Sequence, residues 1–143
     1  MNQLTFRQLT KDDWEDICDW WRVWWRNDHT YEDMLDPKNG FFPANGEGGY
    51  IVECDGEKIV AGFLYLTNAK LACFTYMVSN YKYKQPNRRQ AIDLLIDGAE
   101  QITKKLGCNY IFTVTNNHYV QKYHKEAGWS ASRLPSLELI KKL

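Results

Sequence analysis

The sequence predicts one α/β domain over residues 1–143: a mixed, mostly antiparallel sheet with helices on both faces. Three observations predict it. Two β-rich runs, Tyr50–Cys54 and Lys58–Leu66, flank Asp55-Gly56, the kind of dipeptide that closes tight hairpins. A third run, Leu71–Val78, follows the short turn Thr67–Lys70, so three antiparallel strands stand in series. After it the pattern changes to loop, helix, strand, helix, which is a β-loop-α-β crossover and brings in a parallel neighbour.

The chain has 143 residues, near the commonest size of a single domain and long enough to bury a sizeable core. Acidic and basic residues balance at 18 each, which argues against a dedicated polyanion binder and leaves charge to be read locally. Aromatics make up 15%, with six Trp, so the chain has the apolar surface that ordering requires. Cys18, Cys54, Cys73 and Cys108 are scattered and form no Cys-x-x-Cys pair. They read as reduced thiols of a cytoplasmic protein, two or three of them in the core. The first residues show no signal-peptide pattern, and no apolar run approaches membrane-spanning length.

Taken in order, Leu4–Leu9 alternates apolar and polar residues, as a half-buried strand does. Thr10 or Asp12 then caps a helix with acidic residues in its first turn. Along it Trp14, Ile17, Cys18, Trp21, Trp24 and Trp25 recur at helical spacing, and Trp20 and Val23 widen the stripe. The surplus fits a core helix with aromatic edges, or a helix that lends Trp side chains to a substrate groove or a protein partner. Thr30–Leu35 has room for a short second helix, Asp36–Gly40 is a turn cluster, Phe41–Pro43 an ordered loop, and Gly46–Gly49 a flexible lead-in. Further on, Ile92, Leu95, Ile96, Ala99, Ile102 and Leu106 make the best-defined helical stripe, stopped by Gly107. Cys108–Thr115 reads as a strand buried on both faces through Ile111, Phe112 and Val114. A helix from His118 to Ala127 ends at Gly128, and the tail has room for one or two strands, Leu137–Ile140 being the clearer.

Between the Leu71–Val78 strand and the long helix lies a basic loop holding Lys82, Lys84, Arg88 and Arg89, with Tyr81 and Tyr83 interleaved. Backbone N–H groups without partners and the positive end of the helix dipole meet there, which suits an anion. The same residues also fit a solvated surface, or a patch whose aromatics stack nucleic-acid bases. His29, His118 and His124 lack metal-ligand spacing, so no metal is expected.

The element order, together with Asn117, Val120 and the run Tyr123-His124-Lys125-Glu126-Ala127-Gly128-Trp129, resembles the GCN5-related N-acetyltransferase family. As topology the resemblance covers nearly the whole chain. In that family an Asn is followed by a small or apolar residue and then by a Leu-Tyr-Glu-Lys-Leu-Gly-Phe run. Here His124 stands at the usual tyrosine position, and Tyr123 replaces the apolar residue before it. The family's phosphate loop carries glycines, whereas this chain has Lys84-Gln85-Pro86-Asn87-Arg88-Arg89, with no glycine between Asn80 and Asp97. The short tail and eroded loop are similar to those of phage-borne members, whose setting would be the host cytoplasm.

The resemblance implies an acyl-CoA-dependent N-acyltransferase that moves an acetyl group from acetyl-CoA to an amine of a small molecule or a protein. It implies that Met77, Val78 and Ser79 offer backbone groups to the thioester and its arm. Lys84, Asn87, Arg88 and Arg89 would then hold phosphates, and Asn117 and Tyr123 would line the cofactor arm. His124 would protonate the leaving thiolate, with a plain surface histidine as its other reading. No carboxylate occurs from Leu71 to Val78, so Glu53 is the candidate base by residue type, or an ordered water serves. The alternative is the same fold without catalysis, kept as a protein- or nucleic-acid-binding module, with the Trp-rich helix as a partner surface or a homodimer contact.

Overall fold

In the computed structural model, residues 3–25, 48–115 and 117–134, together with 139, 141 and 143, are described. The Thr30–Leu35 helix, the turn and loop at 36–43, most of the lead-in before Gly49 and all but Leu139 of the Leu137–Ile140 strand lie outside the described residues.

Five strands form one sheet in the order β1 (Leu4–Gln8), β2 (Gly49–Cys54), β3 (Glu57–Leu66), β4 (Leu71–Ser79), β5 (Tyr110–Phe112). The first four are mutually antiparallel, and β5 lies parallel to β4, as the crossover demands. The Asp55-Gly56 turn has both residues at positive φ, 50° and 83°, which is the backbone a two-residue hairpin needs. Helix α1 (Trp14–Trp25) follows a single 3-10 turn, Lys11–Asp13. Helix α2 (Arg88–Lys105) is the crossover, and α3 (His118–Glu126) follows β5. Gly107 at φ 84° and Gly128 at φ 96° end α2 and α3. Each lets the next residue's N–H turn back onto the helix: Cys108 onto Thr103, Trp129 onto His124.

Side-chain alternation sends the two faces of the sheet to two cores. Tyr50, Val52, Leu64 and Phe74 pack under α2, against Ile92, Leu95 and Ile96. Ile51, Ala61, Phe63 and Val78 pack against Ile17, Trp20 and Trp21 of α1. The Trp stripe is thus mainly core, with Trp24 at its exposed edge. Cys18, Cys54 and Cys73 are buried.

Two features depart from the expectation. The last strand is shorter than Cys108–Thr115, and Phe112 and Val114 are exposed, because β5 pairs with only Leu71–Cys73 of β4 and has no further strand outside it among the described residues. The entry to α1 is also built around a buried charge. Asp13, 1% exposed, accepts two hydrogen bonds from the Arg7 guanidinium at 2.8 and 2.9 Å, one from the Thr10 N–H at 2.9 Å, and meets Lys58 Nζ at 2.9 Å. Arg7 also bonds Glu53, and Lys58 also reaches Asp16. One carboxylate therefore joins β1, β3 and the start of α1.

Candidate active site

Beta strand β4 is irregular where it leaves its neighbours. Ala61 of β3 pairs with Val78, and Phe63 with Thr75, so Tyr76 and Met77 together face Gly62 alone. This is a β-bulge, and Tyr76 takes it at φ 56°. A Cβ on Gly62 would lie 2.4 Å from the buried Phe74 ring, so the strand opposite the bulge has room for glycine only. Helix α1 braces the same stretch from below: the Trp21 indole N–H donates to the Tyr76 carbonyl at 3.4 Å and that of Trp24 to the Ser79 carbonyl at 2.7 Å.

On its other side β4 holds β5 only from Leu71 to Cys73. A long bond from Thr75 Oγ1 to the Val114 carbonyl, 3.5 Å, is the last link among the described residues. The strands then separate. Alternate backbone groups of a strand face opposite neighbours, so among the described residues the outward groups from Met77 to Ser79 meet no strand, a gap in the sheet. The bulge and the gap are what position Met77, Val78 and Ser79 together.

The chain leaves this gap through the basic loop, which is ordered without any glycine. Asn80 closes a turn, accepting from the Lys82 N–H through its side chain and from the Tyr83 N–H through its carbonyl. Arg88 reaches back to the carbonyls of Asn80 and Tyr83, so its guanidinium is a brace for the loop. Tyr83 is 2% exposed, and Tyr81 donates to Asp19 at 2.9 Å. The Tyr83 ring is therefore closed to base stacking, and Tyr81 is half-buried. Lys82 and Lys84 are exposed.

The loop delivers the start of α2. Asn87 stands at the capping position with φ −86° and ψ 13°, but its side chain caps nothing. Its Oδ1 accepts from the Tyr83 hydroxyl, and its Nδ2 points to Cys54 Sγ at 3.7 Å. The first close helical bond is Ala91 N–H to the Asn87 carbonyl, 3.1 Å; the N–H groups of Arg88, Arg89 and Gln90 make no close hydrogen bond among the described residues, one of them reaching the Gln85 carbonyl only in a loose turn. The first turn contains no acidic residue. Arg89 points the other way, across to α3: Nε meets Asp93 at 2.9 Å, Nη2 meets Glu126, and the guanidinium lies 4.3 Å from the centre of the Tyr123 ring. Tyr123 is thereby a platform for Arg89.

On α3 the Asn117 side chain is a helix cap, accepting from the N–H groups of Tyr119 and Val120 at 2.9 and 3.2 Å. His124 is 4% exposed and its ring meets Trp129 edge-on at 4.5 Å, so it is no surface histidine. Its Nδ1 lies 2.8 Å from the Val120 carbonyl, and its Nε2 is buried without a hydrogen-bond partner among the described residues. A carbonyl accepts only, so Nδ1 carries the proton and Nε2 of the neutral ring is an acceptor. Burial holds the ring's pKa below its ordinary value, against the pull of the Val120 carbonyl and Glu100. A proton on Nε2 would require the imidazolium, which burial disfavours. A pH effect follows. A histidine that binds its proton more weakly when folded leaves stability complete above its unfolded pKa near 6.5 and erodes it as pH falls below that value. Wild type is expected to lose up to about 1.4 kcal/mol per pH unit there, beyond any loss in His124→Phe. Urea midpoints of both proteins from pH 8 to pH 5 measure the difference.

Glu53 is also displaced from its expected role. Its carboxylate is bonded to Arg7 at 3.1 and 3.3 Å, and it pairs across β3 with Lys58, two strands and about 10 Å from β4. It belongs to the Asp13 network at the entry of α1. What the residue pattern did not reveal is the bulge, for which the one signal was Gly62 inside an otherwise β-branched and aromatic strand.

No protein-family model matches the sequence, and no curated protein matches it. Solved structures do. The chain is similar to the aminoglycoside N-acetyltransferase AAC(6')-Iy in complex with CoA, with a TM-score of 0.70 and 17% identity over 99% of this chain and 96% of that one. It is similar to a GCN5-related N-acetyltransferase from Ralstonia eutropha JMP134, with a TM-score of 0.65 and 18% identity over 96% of this chain and 99% of that one. A third is Ard1 from Thermoplasma volcanium, with a TM-score of 0.68 and 13% identity over 90% of this chain and 84% of that one. Such likeness, with the separating strands, the bulge and the crossover helix that follows, establishes the architecture: this chain has the fold of the GCN5-related N-acetyltransferases.

Proposed function

We propose that the protein transfers an acyl group from acetyl-CoA or a related acyl-CoA to an amine. The observation that carries this reading is the continuity of three features along one stretch: the β4 bulge, the Met77–Ser79 edge that no described strand pairs on the β5 side, and the start of α2 without a side-chain cap. A thioester in the gap would meet outward backbone N–H groups of β4, which suit the oxyanion of a tetrahedral intermediate. The pyrophosphate would sit on the N–H groups of Arg88, Arg89 and Gln90, with the positive end of the helix dipole and Lys84 beside it. Arg89 would close over the phosphates from its seat on Tyr123, while Arg88 and Asn87 shape the loop rather than touch the ligand. Asn117 would act through the helix start that it caps.

In the transfer, the amine nitrogen forms a bond to the carbonyl carbon and the carbon–sulfur bond breaks, leaving the thiolate to take a proton from water. No carboxylate lies on β4, so the amine would give its proton to water as well. That favours acceptors with an appreciable neutral fraction. Aminoglycosides belong first in the acceptor panel, because a similar structure is named for acetylating them.

A melt tests the reading. At roughly 100 times Kd, acetyl-CoA is expected to add about 2.7 kcal/mol, which raises Tm by roughly 5–10 °C in a domain of this size. No shift at millimolar acetyl-CoA would sink it. A shift without turnover on amines would leave a binding module in its place.

A further inference from the structure

We propose that Tyr83 and Asn87 form a positioning pair that keeps the start of α2 open. This rests on the acyl-CoA reading and names what holds that reading's phosphate site in its receptive state. Asparagine is among the best helix caps, and at a first helical turn its side-chain oxygen ordinarily takes an N–H of the second or third residue. Here that oxygen is taken instead by a hydroxyl from a side chain that is 2% exposed. Burial, the largest influence, raises the Tyr83 pKa above its ordinary value, so the phenol keeps its proton and remains the donor. The amide nitrogen is directed at Cys54, so both ends of the Asn87 side chain face the core. Its backbone is correspondingly at ψ 13°, far from the extended value of a capping residue.

Three facts show that this helix start is left unsatisfied rather than satisfied by other means. The N–H groups of Arg88, Arg89 and Gln90 make no close hydrogen bond among the described residues, one of them reaching the Gln85 carbonyl only in a loose turn. No acidic side chain stands in the first turn, although Arg88 and Arg89 put two cations against the positive end of the dipole. By contrast α3, on the same sheet, is capped by an asparagine in the ordinary way, with Asn117 accepting from Tyr119 and Val120. Two asparagines therefore sit at two helix starts, and only the one beside the β4 gap is diverted. A site without glycines cannot bring its backbone closer to an anion, so leaving the N–H groups uncovered is the remaining way to present them.

The experiment uses the full chain as wild type, Tyr83→Phe, Asn87→Ala and the double variant. Amide hydrogen exchange of Arg88, Arg89 and Gln90 is followed by NMR, and binding of acetyl-CoA and of inorganic pyrophosphate is titrated. Tyr83→Phe keeps the buried ring and removes only the hydroxyl. It is expected to let Asn87 swing out and cap, slowing exchange at Arg89 or Gln90 and weakening both ligands about fivefold. Adding Asn87→Ala to Tyr83→Phe is expected to restore fast exchange and wild-type binding, which a merely destabilising change would not do. Unchanged exchange in Tyr83→Phe, or weakened binding that the second substitution fails to restore, overturns the proposal. Slowed exchange in a protein that binds neither ligand even as wild type would support the pair and reject the acyl-CoA reading.

Discussion

Replacing Asp13 by alanine is expected to cost about 3 kcal/mol, the low end for breaking a buried ion pair, because its partners keep some access to water. The change removes more than one contact. Arg7 loses a bidentate partner, Lys58 loses one of two carboxylates, and the Thr10 N–H at the entry of α1 loses its acceptor. Glu53 and Asp16 stay in place to hold the two cations, which is why the loss is not larger. Asp13→Asn separates charge from shape, since it keeps an oxygen for Thr10 and gives up the ionic bonds. It is expected to fall between wild type and Asp13→Ala. The pH dependence is specific. Burial opposes ionisation of Asp13, but the Arg7 guanidinium, the Thr10 N–H and Lys58 outweigh it and hold the carboxyl well below the usual range. A group with a depressed folded pKa gives its full stabilisation above the unfolded value near 3.9 and loses it as pH falls further. Wild type is therefore expected to weaken steeply below pH 4, and Asp13→Asn to show a shallower slope there. Urea midpoints from pH 7 to pH 2.5 decide it; parallel curves for the two proteins would remove Asp13 from the acid transition.

The Asp13 network also shows what sequence pattern reaches and what it misses. Local signals were legible because their causes are local. The Asp55-Gly56 turn, the apolar stripe of α2, and the glycines after α2 and α3 each follow from backbone preference or 3.6-residue spacing within a few positions. The strand order was legible too, because hairpins and one crossover leave few ways to connect them. Pairings across the sheet were not. Nothing in the run around Glu53 says that Arg7, 46 residues away, holds its carboxylate. The burial of His124 against Trp129 depends on how α3 docks, and the position in the motif carried no information about which ring nitrogen holds the proton. Tyr83 looked like one aromatic in a basic loop; its burial and its hold on Asn87 arise only once the loop folds over β2 and the start of α2.

The Trp-rich helix is where fold and candidate site meet, and it carries the second large effect. Trp21→Ala is expected to destabilise the protein by about 4 kcal/mol, within the 3–5 kcal/mol that truncating a buried aromatic costs. Its indole is 2% exposed and packs on Trp14 and Phe63, with ring centres 5.7 and 5.4 Å away. Yet its N–H also donates to the carbonyl of Tyr76, the residue at φ 56° that makes the bulge. The carbonyl of Tyr76 and the N–H of Met77 share one planar peptide and point in opposite directions, so anchoring the first aims the second. Trp21→Phe isolates that role. It keeps an aromatic ring against Trp14 and Phe63 and deletes the donor, with an expected loss of about 1–2 kcal/mol from the missing bond and the smaller ring. If the indole aims the peptide, the phenylalanine variant loses kcat by tenfold or more while acetyl-CoA affinity, proposed to be set at the start of α2, changes little. A fall in both that only tracks the lost stability, or a kcat equal to that of wild type, would mean that the bulge is held by Gly62 and the strand pairing alone. In that case Trp21 would be a core residue and nothing more.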